Sequence, residues 1–237
     1  MSRILIRGDR VLTLQNGDDL IRKGAVIVAD GAIEAVGAHD DLSSRGPFDE
    51  ELGSLDHDVI IPGLVSAHHH AGNNVRDGLL DVPLEMWVPL IFGSYRVGMT
   101  EEETYLRSLW SALELQRCGV TTVVDFHAPS MNLPRWGFPP CIQAYLDAGI
   151  RVSFGVSMRD QNPFVYGDHT AFLNGLPQAQ REWAEGFMGA PDLDEYFRVV
   201  DDVYAEFNGK NDTVRVFVTP LGVQWTSDDL LKRAKKK

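Results

Sequence analysis

The sequence predicts an α/β protein in which a small β domain, residues 1–60, precedes the first half of an eight-stranded (β/α) barrel, residues 61–237. Short β-branched runs separated by turn signals fill the first part. In the second part, β-branched runs alternate with helical patterns, which indicates βα units. About four such units are present, whereas a closed barrel takes eight and typically about 250 residues. The sequence therefore predicts an incomplete barrel.

The β domain contains five short runs of strand composition. They cover residues 4–7, 11–14, 25–29, 32–36 and 59–61. Asp30-Gly31 between the third and fourth runs supplies positive φ angles for a tight turn, which predicts an antiparallel hairpin. A polar segment, residues 39–58, interrupts this strand pattern.

Four strands are predicted after residue 61. The first, residues 64–67, leads into three histidines, and the others cover residues 120–125, 152–156 and 214–218. Thr100 and Glu103 have the spacing of a capping box, so a helix begins there and ends at Gly119. Further helices are predicted at residues 142–148, at 193–207 and from Ser227 onward. A doubly wound sheet is disfavoured, because its first βα turn would carry a GxGxxG loop.

Composition and charge exclude several partners. With 237 residues, 44% of them hydrophobic, the chain can bury a substantial core. The net charge of −12 disfavours nucleic acid, since a phosphate backbone requires clustered Lys and Arg. No stretch approaches the roughly 18 apolar residues of a membrane helix. Cys118 and Cys141 lie far apart without a CxxC spacing, which indicates reduced thiols and a cytoplasmic protein.

The strongest chemical signal is the pair His68 and His70 at the end of the first barrel strand. Residues i and i+2 of a strand point to the same side, so the two imidazoles can bind one cation. Imidazole suits Zn and Fe, and a catalytic site adds an open position for water. We therefore predict that His68 and His70 are ligands of one divalent metal ion.

Residues 61–70, Ile-Pro-Gly-Leu-Val-Ser-Ala-His-His-His, resemble the Pro-Gly-Leu-Val-Asn/Asp-x-His-x-His signature of the amidohydrolase superfamily. Residues 76–78, 83–87 and 119–125 resemble its aminohydrolase and chlorohydrolase branch, which includes cytosine-deaminase-like enzymes. The resemblance implies that a β-sandwich portion precedes a (β/α)8 TIM-type barrel. Ser66 departs from the usual Asn or Asp of the signature, which weakens one supporting hydrogen bond.

The resemblance also implies the chemistry. One Zn or Fe ion activates water to attack a C–N or C–Cl bond of a small heterocyclic or amide substrate. In that family a third His ligand, a catalytic Glu, another His and a metal-binding Asp come from strands five, six and eight, which would lie beyond Lys237. We therefore assign no catalytic residue within this chain, which looks truncated, and expect it to be inactive alone.

Residues that follow the predicted strands are candidate substrate contacts. They are Asn73, Trp87, His127, Gln224 and Trp225. His127, just past strand two, is expected beside the metal ligands, where a structural or substrate-contacting role is favoured over metal ligation. Gln224 and Trp225 follow strand four, where barrels place substrate contacts.

Two alternatives stay open. The chain could be a non-catalytic half-barrel that needs a partner chain, as a homo-oligomer or with a missing C-terminal half, since open edge strands invite association. A hydantoinase or dihydropyrimidinase type of cyclic amidase would carry Gly-Gly-Ile-Asp and a carboxylated Lys on strand four. Residues 214–218 contain no Lys, which favours a single ion. Each hydrolase interpretation expects a small-molecule substrate, and neither nucleic acid nor membrane is expected as a partner.

Overall fold

The computed structural model divides the chain into two compact units, Met1–Gly63 and Leu64–Lys237. It describes residues 2–15, 20–72, 82–83, 86, 99–130, 132–161, 165, 167–187 and 192–237. Within these ranges, no helix has the length and apolar character needed to span a bilayer.

The N-terminal unit is built on one mixed sheet in the order β3-β2-β1-β4. Its elements are β1 (Arg3–Leu12), β2 (Leu20–Ala29), β3 (Ala32–Ala38), α1 (His39–Ser43) and β4 (Glu50–Ile60). Strands β1, β2 and β3 pair antiparallel in sequence, whereas β4 pairs parallel to β1. The predicted hairpin turn is confirmed, because Asp30 and Gly31 both adopt positive φ, at 52° and 79°.

Two expectations for this unit were wrong. The predicted strands 4–7 and 11–14 are one strand, β1, whose register against β4 shifts between Gly8 and Arg10. The polar segment 39–58, which was expected to interrupt the strand pattern, contains α1 and most of β4. Strand β4 lies at the edge of the sheet, and its mostly exposed residues do not alternate between apolar and polar. Among the described residues of the unit there is one sheet only, so the second layer of a β-sandwich is not seen there.

The C-terminal unit contains a four-stranded parallel sheet in the order β5-β6-β7-β8. The strands are β5 (Leu64–His69), β6 (Val120–His127), β7 (Arg151–Met158) and β8 (Val214–Pro220). The helices are α2 (Glu101–Arg117), α3 (Phe138–Ala148), α4 (His169–Asn174), α5 (Gln178–Phe187), α6 (Leu193–Phe207) and α7 (Asp228–Ala234). The four predicted strands and their parallel arrangement are confirmed.

Local signals in the sequence set the helix ends. Thr100 and Glu103 form the predicted capping box, each side chain accepting the backbone N–H of the other residue. The Ser227 hydroxyl accepts the N–H of Leu230 at the start of α7. Helix α3 begins at Phe138 rather than at residue 142, since prolines in its first turn require no N–H partner.

The parallel sheet has two unlike faces. One, the helix face, carries Phe154, Val156 and Val216, which pack in the main hydrophobic core with α3 and α6. The other, the Phe126 face, carries Phe126, Gly155 and Phe217, which are register partners on adjacent strands. A Cβ on Gly155 would lie 2.6 Å from the Thr219 methyl and 3.0 Å from the Phe217 ring. Glycine therefore makes room for the edge-to-face contact of Phe126 and Phe217, whose ring centroids are 6.0 Å apart.

Candidate metal centre

The rings of His68 and His70 meet at the carboxyl end of β5. Their Nε2 atoms are 3.1 Å apart, and the rings are nearly perpendicular, at 87°. Two nitrogens bound tetrahedrally to one zinc ion at about 2.0–2.1 Å lie about 3.3 Å from each other. The spacing therefore fits a shared divalent ion. The assignment of both residues as metal ligands stays a prediction.

Strand β6 holds His70 in the tautomer that a metal requires. The His70 Nδ1 atom lies 2.8 Å from the Phe126 carbonyl oxygen, which can only accept a hydrogen bond. The proton is therefore on Nδ1, and the Nε2 lone pair is available to a cation. Burial lowers the pKa of His70, which favours the neutral ring; the hydrogen bond to Phe126 opposes this shift and the neighbouring His68 adds to it. The His68 ring packs against the Phe126 ring, with centroids 4.7 Å apart.

A cluster of buried polar groups lies on the helix face of β6. It consists of Asp125, His127 and Cys141, with Tyr145 beside them. The Cys141 thiol is 3.6 Å from Asp125 Oδ2 and 3.4 Å from His127 Nδ1. Tyr145 donates its hydroxyl to the same carboxylate oxygen at 3.2 Å. The other oxygen, Oδ1, accepts the N–H of Ala71, the residue that follows His70, at 3.0 Å.

Burial makes the members of this cluster neutral. Removal from water raises the pKa of Asp125 to about 7, although hydrogen bonds from Ala71 and Tyr145 favour the charged form. Burial lowers the pKa of His127 to about 3, and the nearby His70 and His69 lower it further. Burial also raises the pKa of the Cys141 thiol. A neutral hydrogen-bonded group is therefore the stable form below neutral pH.

The titration of Asp125 predicts a pH-dependent stability. The folded state binds a proton at Asp125 up to about pH 7, whereas an unfolded Asp releases it near pH 4, so stability falls as the pH rises across this window. His127 has the opposite effect between about pH 3 and 6.5, because the unfolded state binds the extra proton there. We expect Asp125→Asn to gain stability relative to the wild type from pH 4 to 7, by up to about 1.4 kcal/mol per pH unit.

Urea unfolding at several pH values, followed by tryptophan fluorescence, measures this difference. The exposed Asp202→Asn is the matched control, and its stability is expected to run parallel to that of the wild type. Parallel curves for Asp125→Asn as well would contradict the assignment of a buried, proton-binding carboxylate.

His127 does not lie where we expected it. Its side chain is 6% exposed and packs on the helix face against Phe138 and Phe154, with ring centroids 6.0 and 5.6 Å away. The alternation of β6 explains the error: Phe126 points to the side of His68, so the next residue points away from it. Counting two residues back along β6 would have identified Asp125 as the partner of His127, a residue that our sequence analysis missed.

Two of the other candidate substrate contacts, Gln224 and Trp225, lie among the described residues. Gln224 and Trp225 lie in the 3-10 helix Val223–Trp225 after β8, beyond the same carboxyl edge of the sheet as the two histidines. The Trp225 carbonyl accepts the N–H groups of Asp160 and Gln161, which fixes this turn to the end of β7. The roles of Gln224 and Trp225 in substrate binding stay predictions. Asn73 and Trp87 lie outside the described residues.

The chain resembles a known protein family and several curated proteins in sequence. A sequence profile described as the Amidohydrolase family matches residues 59–237. A 5-methylthioadenosine/S-adenosylhomocysteine deaminase of Desulforamulus reducens is 32% identical over 129 residues, which are 54% of this chain and 29% of that protein. A 5'-deoxyadenosine deaminase of Methanosarcina mazei is 32% identical over 128 residues, which are 54% of this chain and 28% of that protein.

Solved structures share the fold. An adenosine deaminase from Xanthomonas campestris with bound zinc superposes with a TM-score of 0.75 at 21% identity, covering 99% of this chain and 46% of its own. A triazine hydrolase from Arthrobacter aurescens gives 0.78 at 19% identity, covering 100% of this chain and 50% of its own. The chain therefore has the α/β architecture of amidohydrolase-type barrels and spans about half the length of these solved relatives.

Proposed function

Because the amidohydrolase profile matches well over half of its residues, the chain belongs to the amidohydrolase family, and from this premise we propose that it carries the metal-binding strand of a deaminase. The observation that carries this proposal is the pair of Nε2 atoms, 3.1 Å apart, at the end of β5. Curated relatives are named as deaminases, which release an amino group from a carbon–nitrogen bond. The proposed reaction is hydrolysis of such a bond in a small heterocycle.

In this proposal His68 and His70 bind one divalent ion, Zn or Fe, through Nε2. When bound at these two residues, such an ion would supply Lewis-acid chemistry that activates water. His70 is oriented by its hydrogen bond to the Phe126 carbonyl, so its ring cannot rotate away without losing that bond. His68 is positioned by contact with the Phe126 ring. The Nε2 atoms of both rings therefore lie close enough to bind one ion.

The Phe126 face of the sheet is suited to binding a flat aromatic substrate. Phe126 and Phe217 lie on the side of the sheet where His68 packs, and both side chains are only partly buried. Aromatic rings stack on flat heterocycles with centroids about 4.5–7 Å apart. We therefore propose a heterocyclic base bearing an exocyclic amino group as the substrate, adenine derivatives first because several curated relatives act on adenosine derivatives.

We also propose which part of the catalytic site this chain contributes. Residues 61–237 provide four βα units and two histidine ligands, and residues 1–60 provide the β-rich portion that precedes them. Two histidines bind a catalytic ion weakly, since such sites take three protein ligands. We propose that the chain alone is inactive and that further ligands and a general base come from outside these residues. Both cysteines are free thiols, which supports a cytoplasmic setting.

A non-catalytic half-barrel that docks on a partner remains the second candidate. It is favoured by exposed apolar side chains on the edge strand β5, where Leu64 and Val65 are 48% and 64% exposed. The cyclic amidase alternative is disfavoured, because β8 contains no Lys to carboxylate.

Ammonia release separates these candidates. We expect no turnover by the 237-residue chain with adenosine, 5'-methylthioadenosine or guanine. We expect deamination of at least one of them by the longest polypeptide whose reading frame contains this chain, loaded with zinc. The same polypeptide with His68→Ala and His70→Ala should lose at least about 1,000-fold in rate, because the ion that activates water is lost. A fully active double variant would contradict the proposed role of these histidines.

A further inference from the structure

The structure assigns a positioning role to Asp125. We propose that its buried carboxyl group, assisted by Ser111, fixes the turn after His70 and so holds the His68 and His70 rings at metal-binding distance. This inference rests on the proposed function, since it concerns the same ion.

Three consecutive residues at the end of β5 each donate a hydrogen bond to a different group. His70 donates from Nδ1 to the Phe126 carbonyl at 2.8 Å. The Ala71 N–H donates to Asp125 Oδ1 at 3.0 Å, and the Gly72 N–H donates to the Ser111 hydroxyl at 2.9 Å. The last two bonds are buried and join segments 54 and 39 residues apart in the sequence. The turn is therefore attached to β6 and α2 rather than held by β5 alone.

Asp125 is itself held in place. Its side chain is fully buried, and its second oxygen receives the Tyr145 hydroxyl at 3.2 Å while the Cys141 thiol lies at 3.6 Å. A carboxyl group that is hydrogen-bonded at both oxygens cannot rotate without leaving a buried donor unsatisfied, which costs about 1–3 kcal/mol. The position of Ala71, and with it the backbone of His70, is therefore set by α3 through Asp125.

Metal affinity depends on such support. Ligands must be held within about 0.5 Å of the productive geometry, and losing a residue that orients a ligand costs about 10–100-fold in affinity. The Asp125, His127 and Cys141 cluster could itself hold an ion, since its donor atoms all lie within 4.8 Å of one another. However, the hydrogen bonds of Asp125 and Cys141 already use these donor atoms, so we assign the cluster to support and not to ligation.

Zinc affinity of the untagged chain, measured by competition with a chromophoric chelator near neutral pH, tests this role. We expect Asp125→Ala to weaken zinc binding by about 10-fold or more. Asp125→Asn keeps an oxygen that can accept the Ala71 N–H, so it should restore affinity to within about threefold of the wild type. Ser111→Ala is a smaller change that removes the acceptor of the Gly72 N–H and should weaken zinc binding severalfold. It replaces Asp125→Ala in the test if that variant does not fold.

Tyr196→Phe is the matched control. It removes a buried hydrogen bond to the Val156 carbonyl in the same core, so it should lower the unfolding temperature without changing zinc affinity. Wild-type affinity in both Asp125→Ala and Ser111→Ala would overturn the inference. An Asp125→Asn variant that binds zinc as weakly as Asp125→Ala would also overturn it. In that case the charge of residue 125, and not its hydrogen bond to the turn, would determine zinc affinity. A thiolate-to-metal charge-transfer band in the cobalt-loaded chain would also overturn it, since Cys141 would then be a ligand.

The zinc-binding experiment gives a different result if the proposed function itself is wrong. In that case the wild-type chain binds no zinc, or binds it equally well after His68→Ala, and both the function and this inference are wrong. If the wild type binds zinc through His68 while the Asp125 and Ser111 variants bind like the wild type, only the positioning role is wrong.

Discussion

Replacing either His68 or His70 by Ala is expected to weaken zinc binding by at least about 100-fold. Loss of a residue that merely orients a ligand costs about 10–100-fold, and loss of a ligand itself costs more. The two Nε2 atoms lie 3.1 Å apart, so one ion can bind both, and either single variant leaves only one of the two donors. Equilibrium dialysis of the untagged chain followed by metal analysis measures the effect.

His57→Ala is the control for this experiment. His57 belongs to the N-terminal unit and is exposed, so its loss removes an imidazole without affecting β5. We expect wild-type zinc binding in this variant. Equal losses in all three variants would indicate adventitious binding by surface histidines and would contradict a shared site at residues 68 and 70.

Phe154→Ala is expected to destabilise the C-terminal unit by about 3–5 kcal/mol. The Phe154 ring is fully buried on the helix face between His127 and Phe138, so truncation leaves a cavity that the parallel strands cannot close. All five tryptophans of the chain lie after Gly63, so tryptophan fluorescence during urea unfolding reports on this unit alone. The midpoint should fall without a change in the slope of the transition.

Phe126→Ala is the matched comparison on the other face of the sheet. Phe126 is only partly buried, so we expect a loss of about 1–2 kcal/mol. The same variant removes the ring that contacts His68, and it should weaken zinc binding although it costs less stability. Equal destabilisation by the two substitutions would contradict a sheet with one packed face and one open face.

The sequence predicted those parts of the molecule that local chemistry determines. Strand alternation placed His68 and His70 on one side, the capping box at Thr100 predicted the start of α2, and Asp30-Gly31 predicted the hairpin of β2 and β3. Each of these depends on residues within four positions of one another, so periodicity and turn preference suffice to identify them.

Features that depend on distant residues were missed. Strand β4 is a polar edge strand, recognisable only by its pairing with β1. Asp125 has no local feature that marks it as the partner of Ala71, because the two residues are 54 positions apart. His127 was expected beside the metal ligands, but the alternation of β6 turns its side chain to the helix face, away from His68.

No helix was predicted between β7 and residue 193, but this segment contains α4 and α5. Asp168 caps α4 by accepting the N–H of Ala171. Gly and Pro residues interrupt this segment and are typical of loops, so they conceal the short helices between them.

Anomalous X-ray scattering from crystals of the zinc-soaked chain tests the central claim most directly. We predict one strong zinc peak about 2.0–2.1 Å from the Nε2 atoms of both His68 and His70. A peak between Asp125, His127 and Cys141, or two rings that point to opposite sides of β5, would contradict it.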